Sequence, residues 1–95
     1  MNYDALPYAF DQLNGAIDSL ASGDEPLAER LRSVYGYHIR YIKDEQITDA
    51  SLAKKIAGVK RQLQRLNDLT TDDQQQLARQ IVSAFVDTIR RLAQN

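Results

Sequence analysis

Residues 51–66 read SLAKKIAGVKRQLQRL, and their large apolar side chains recur at alternating steps of four and three residues. This spacing places them on one side of an α-helix, in the a/d pattern by which helices pack in bundles and short coiled coils. The series predicts a helix over about residues 48–66 with one buried seam, formed by Leu52, Ile56, Val59, Leu63 and Leu66.

Three further segments, at about residues 4–22, 24–42 and 71–93, show the same helical periodicity. Short polar links join the four segments, and no stretch alternates apolar and polar residues as a half-buried strand would. We therefore expect a single domain over residues 1–95, folded as an all-α, four-helix antiparallel up-and-down bundle.

Residue types at the segment ends predict the helix boundaries. The run Asp24-Glu25-Pro26 predicts the start of the second helix, and Thr71 predicts the cap of the fourth, with Gln74 reaching back to it. Gly23 predicts a left-handed residue that closes the first helix. Gly36, inside the second helix, predicts close packing or a bend, because glycine costs about 1 kcal/mol relative to alanine there.

The charges are unevenly distributed, although the net charge is only −1. Residues 1–29 contain no base, and residues 50–67 contain no acid. Such a split indicates either a basic surface for an anionic partner or two oppositely charged helices lying side by side. We favour the second interpretation, because charges of both signs are normal on the surface of soluble helices.

Composition argues against several classes of protein. The chain has no cysteine, which excludes a disulfide scaffold, thiolate metal sites and thiol catalysis. Its start lacks the regions of a secretory signal, and no stretch approaches the roughly 20 apolar residues that cross a bilayer. We expect a cytoplasmic protein that contacts no membrane and holds no metal or cofactor.

His38 is the only histidine and so the one candidate for a general base or pH switch. It shares a helical stripe with Val34, Tyr35 and Ile42, which predicts a partly buried, structural side chain. No paired nucleophile and base, phosphate-binding glycine loop or ligand cluster accompanies it. We therefore expect no enzymatic activity.

Two groups of residues are candidates for a protein interface. Tyr37 and Tyr41 lie one helical turn apart, away from the main apolar stripe, where we rank packing at the edge of the bundle first, a protein interface second and stacking on nucleic acid third. The fourth segment has two apolar rows, one with Leu77, Ile81, Phe85 and Leu92, the other with Val82, Val86, Ile89 and Ala93. Three neighbouring helices could cover both rows if this helix lay centrally, but each helix of such a bundle normally keeps an outward side, where the second row would be exposed. We predict that a second copy, giving a homodimer, or another protein covers it.

Residues 51–66 also resemble the helix-turn-helix pattern of bacterial repressors, through the small and apolar residues Leu52, Ala53, Ile56, Leu63 and Leu66. The resemblance implies a recognition helix that contacts DNA through Lys60, Arg61, Gln62, Gln64 and Arg65. The turn glycine, Gly58, falls one place late, and a continuous seam explains the same residues without a turn. The sequence pI of about 5.7 is also far from basic. A nucleic-acid-binding regulator is thus the alternative to a protein-interaction or regulatory protein.

Residues 19–31 read SLASGDEPLAERL and are similar to a junction between helices in short all-helical bacterial proteins of unassigned function. The shared features are the Leu-Ala, Pro-Leu and Glu-Arg-Leu groups. This resemblance implies a small helical bacterial protein and transfers no activity or site.

Overall fold

The four predicted segments are α-helical in the computed structural model, which describes residues 4–94. The helices are α1 (Leu6–Ser22), α2 (Leu27–Tyr37), α3 (Ala50–Gln64) and α4 (Thr71–Ala93). Short 3₁₀ turns at Ile39–Tyr41, Asp44–Gln46 and Leu66–Asp68 lie in the connections between helices. Residues 4–94 contain no strand. The predicted all-α class is confirmed.

The helices pack as the predicted four-helix bundle. Helix α1 packs against α2 and α4, and α3 packs against α4 and α2, so α1 and α3 occupy opposite corners. Phe10 of α1 stacks on Phe85 of the antiparallel α4, with 5.6 Å between ring centroids. The largest fully buried side chains between the helices are Leu13, Leu31, Val34, Ile39, Ile42, Leu52, Ile56, Leu77, Ile81 and Thr88.

The expectation that the acidic α1 lies beside the basic α3 is wrong, because the two helices are diagonal. The bases of α3 find acids elsewhere. Lys55 Nζ lies 2.6 Å from Asp87 Oδ2 on α4, and Lys60 Nζ lies 3.0 Å from Asp44 Oδ1 in the connection before α3. The exposed acids of α1 are therefore left on one side of the bundle, with no basic neighbour supplied by α3.

Helix α2 ends at Tyr37, so the predicted continuation to residue 42 is wrong. The backbone of His38, with φ −135° and ψ −70°, leaves the helix and starts a 3₁₀ turn. If the helix continued past Tyr37, the side chain of Ile39 would lie just outside the edge of the apolar stripe. The break instead buries both Ile39 and Ile42 completely, which closes one end of the core.

Close packing occurs at Gly15 and not at Gly36, where close packing or a bend was the prediction; helix α2 ends at Tyr37, one residue after Gly36. A Cβ atom built on Gly36 would meet nothing within 4 Å. On Gly15 it would lie 2.6 Å from Cε1 of His38. The absence of a side chain at position 15 therefore lets the His38 imidazole lie against α1.

The end of α1 uses an arginine where a left-handed glycine was expected. Gly23 has an extended backbone with φ −78°, so that prediction is wrong. Arg30 of α2 instead reaches back, and its Nη1 donates to the carbonyl oxygen of Leu20 at 2.6 Å. Its Nε donates to the carbonyl oxygen of Glu25 at 2.9 Å. One side chain thus satisfies a free carbonyl of α1 and fixes the link to α2.

Two helix starts differ from the predictions. Helix α2 begins after Pro26 and has no side-chain cap, so neither Asp24 nor Glu25 caps it as predicted. The capping box of α4 lies one residue earlier than predicted. Thr70 Oγ1 accepts from the Asp73 N–H at 3.1 Å, and Asp73 Oδ2 accepts from the Thr70 N–H at 3.4 Å.

Helix α3 begins at a cap that also ties it to the end of α4. Asp49 Oδ1 accepts from the Leu52 N–H at 2.9 Å, and Asp49 Oδ2 accepts from Arg91 Nε at 2.8 Å. Both contacts favour the carboxylate, and the backbone donor has the larger effect, so the pKa of Asp49 is lowered.

Candidate functional site

The second apolar row of α4 lies on the surface, as expected. Val82, Val86 and Ile89 are 46%, 37% and 42% exposed. In the first row, by contrast, Leu77 and Ile81 are fully buried. The helices that surround α4 therefore cover only one of its two rows.

An apolar groove adjoins this row and has Val82 in common with it. The groove lies between the C-terminal half of α1, the start of α2 and α4, and has a volume of about 390 Å³. Its apolar lining is Ile17, Leu20, Ala21, Leu27, Ala78 and Val82. Ile17 and Leu20 share the apolar side of α1 with its buried residues, yet both are only partly buried. The small residues Ala21 and Ala78 are the signal that could have indicated a gap here.

The two long helices of this surface carry exposed charges of opposite sign, and Arg30 and Arg79 line the groove itself. Asp11 and Asp18 are exposed on α1, and Arg79 and Arg90 are exposed on α4. None of the salt bridges within residues 4–94 includes Asp11, Asp18 or Arg79. Arg90 forms one salt bridge, to Asp87 at 3.9 Å. We call this surface the α1–α4 face: the exposed row, the groove and these four exposed charges of α1 and α4.

The tyrosines predicted as interface residues lie on a different surface. Tyr37 is 75% exposed and Tyr41 is 45% exposed. Tyr41 lines a separate cleft of about 450 Å³ together with Tyr8, Lys43 and others. The predicted interface residues therefore fall into two groups that the fold does not bring together.

Arg40 covers part of this tyrosine surface. Its guanidinium lies 4.7 Å from the centroid of the Tyr41 ring, and Nη2 donates to the Tyr41 hydroxyl at 2.7 Å. The hydrogen bond raises the pKa of Arg40 above its ordinary value. The Arg40 guanidinium thus covers one side of the Tyr41 ring, which reduces the aromatic surface available to another molecule.

His38 makes a contact between helices. Its Nε2 lies 3.4 Å from Ser19 Oγ on α1, and the ring is partly buried against Gly15. In the part of the chain that the structure describes, no three His, Cys, Asp or Glu side chains are grouped so that they could hold a metal ion. No helix within those residues is long and apolar enough to cross a membrane.

The proposed DNA-contacting residues do not form a helix-turn-helix unit. Helix α3 continues through Ala57 and Gly58, so the turn that the resemblance implies does not occur there and the predicted continuous seam is confirmed. Three of the five residues also have partners within the bundle. Lys60 donates to the Ile42 carbonyl and to Asp44, Gln62 donates to Gln80, and Gln64 donates to the Tyr35 hydroxyl.

We expect the Arg61→Ala/Arg65→Ala double variant to match the wild type in stability within about 0.5 kcal/mol, because both side chains are exposed. Lys60→Ala, which removes two contacts between α3 and the connection that precedes it, should be less stable than the double variant. Urea denaturation followed by circular dichroism gives this comparison.

Gel-shift measurements should show no tight duplex binding at physiological salt. Salt-sensitive binding that the double variant loses would restore the nucleic-acid hypothesis.

No family model matches this chain, and neither a curated protein nor a solved structure matches it.

Proposed function

We propose that this protein is a non-enzymatic interaction protein that pairs with a second copy of itself through the α1–α4 face. The exposed row Val82, Val86 and Ile89 is the observation that carries the proposal. Removing apolar surface from water is worth about 25 cal/mol per Å². Continuous apolar patches on soluble proteins commonly mark interaction sites.

The charges around the row favour a second copy over a partner of uniform charge. A strongly acidic partner would be repelled by Asp11 and Asp18, and a strongly basic one by Arg79 and Arg90. A second copy presents both signs. Homodimers with one twofold axis use the same surface on both subunits, so the acids of each copy can meet the arginines of the other.

The surroundings of His38 support a non-enzymatic role. Its ring contacts Ser19 and lies against Gly15, so it joins two helices of the bundle. A general base needs a reacting group within hydrogen-bond distance and a cleft to hold it. Neither the α1–α4 groove nor the Tyr41 cleft is lined by this histidine.

The double variant Val82→Glu/Val86→Glu tests the proposal. We expect the wild type to be a dimer and the variant to be a folded monomer, because two buried carboxylates per copy would oppose association. Light scattering after size-exclusion chromatography gives the mass, and circular dichroism gives the helix content. A matched control is Ser51→Glu/Lys54→Glu, which places two glutamates on exposed positions of α3 and should leave the dimer intact.

Two results would contradict the proposal. One is a wild type that stays monomeric at high micromolar concentration. The other is a Val82→Glu/Val86→Glu variant that loses its helix content, because the row would then be needed for the fold itself.

A further inference from the structure

We propose that the groove between α1, α2 and α4 binds an aliphatic carboxylate, with the chain of the ligand in the groove and its carboxylate at Arg79. Each copy of the protein holds a whole groove, so the site needs no second copy to complete it. Ligand binding at this site therefore goes beyond the pairing proposed above.

The groove has apolar walls on all three helices. Ile17 and Leu20 of α1 and Leu27 of α2 are partly buried along it. Ala21 of α1 and Ala78 of α4 contribute only methyl groups, so the helices do not fill the space between them. Water in this space is in contact with apolar surface, and the hydrophobic effect favours an aliphatic chain that displaces it.

The size of the groove indicates a small ligand. Its volume of about 390 Å³ lies near the lower end of the range for small-molecule sites, roughly 300–1,000 Å³. Ile17 and Ala21 are four residues apart on α1, and Ala78 and Val82 are four residues apart on α4. The apolar walls therefore extend about 6 Å along the bundle, which suits a short aliphatic chain.

The two charged residues in the lining of the groove are both arginines, Arg30 and Arg79. Arg30 is held in place by its hydrogen bonds to the carbonyl oxygens of Leu20 and Glu25, and the Glu25 carboxylate lies near its side chain. Arg79 is exposed, and none of the salt bridges within residues 4–94 includes it. The Arg79 guanidinium is therefore the cation of the groove that can pair with an anion from outside.

The apolar walls and the guanidinium together specify the chemistry of the ligand. A guanidinium donates two parallel hydrogen bonds to a carboxylate, and such bonds are stronger beside apolar surface, where water competes less. A neutral chain would gain the apolar contacts alone, and a cationic chain would be repelled by both arginines. An aliphatic carboxylate uses both the groove and Arg79.

Octanoate titrated into the full chain, at a protein concentration where the chain is monomeric, tests the site. We expect saturable amide NMR shifts at the groove residues, with a Kd of about 1 mM. Octanol lacks the charge, octylammonium reverses it and acetate lacks the chain. Each of these three matched probes should bind at least about tenfold more weakly than octanoate.

Two variants separate the contributions of charge and groove. Arg79→Gln removes the charge and should raise the octanoate Kd by about fivefold to tenfold, while the weaker binding of octanol stays unchanged. Ala21→Leu, at an exposed position of α1, fills the groove and should weaken octanoate and octanol alike. Arg61→Gln and Ser51→Leu make matched changes at exposed positions of α3 and should alter neither Kd. Circular dichroism verifies the fold of each variant.

Three results would each overturn the site: an octanoate Kd above about 10 mM, octylammonium binding as tight as that of octanoate, or wild-type octanoate affinity in Arg79→Gln or Ala21→Leu. None of them bears on pairing, because a wild-type dimer that Val82→Glu/Val86→Glu abolishes would still support the proposed function. A monomeric wild type that binds octanoate would contradict the proposed function and leave the site standing.

Discussion

Truncation of Ile81 to alanine is expected to destabilise the fold by about 2–5 kcal/mol, whereas truncation of its neighbour Val82 should change stability by less than about 1 kcal/mol. Ile81 is fully buried between the helices, and its removal leaves a cavity that the packed core cannot close. Val82 is 46% exposed, and water fills the space that its methyl groups leave. Urea denaturation of both variants gives the comparison.

The measurement should be made at a protein concentration where the chain is monomeric, because dimer formation would add to the apparent contribution of Val82 to stability. Equal losses for the two variants under that condition would contradict the assignment of the two rows. They would show that the second row also belongs to the core.

Changing Gly15 to alanine is expected to destabilise the protein, although alanine is the better helix former. The new Cβ would lie 2.6 Å from Cε1 of His38, so the ring must move. Overpacking of this kind costs about 1–3 kcal/mol, and the helix propensity of alanine returns about 1 kcal/mol. In a His38→Ala background the clash is gone, and the same change should stabilise. The sign of its effect should therefore reverse, as thermal unfolding can show.

Gly58→Ala is the matched control, because Gly58 also lies within a helix and its added Cβ would have Arg61 Nη2, at 3.9 Å, as its nearest neighbour beyond the local backbone. It should stabilise the protein by about 0.5–1 kcal/mol in either background. A stabilising Gly15→Ala in the wild-type chain would show that the imidazole can turn aside without loss. The contact between His38 and α1 would then contribute nothing to the fold.

Local periodicity determined the helices and the two rows of α4. Spacing of three and four residues is a property of the chain itself, so it identifies which side chains share a helical face before any packing is known. For that reason α3 and α4, whose apolar series are regular, lie close to their predicted bounds. The exposure of Val82 and Val86 followed from the same spacing, since one helix packs through a limited arc of its surface.

Tertiary structure alone decided the features that depend on two segments meeting. The end of α2 at Tyr37 reflects the gain from burying Ile39 and Ile42 against other helices, which no local pattern contains. Only the packing of α2 on α1 shows that Gly15, and not Gly36, makes the close approach. The diagonal placement of α1 and α3 likewise arises from the order of helices around the core. Local sequence sets the faces of helices, and the free energy of packing distant segments sets which faces meet.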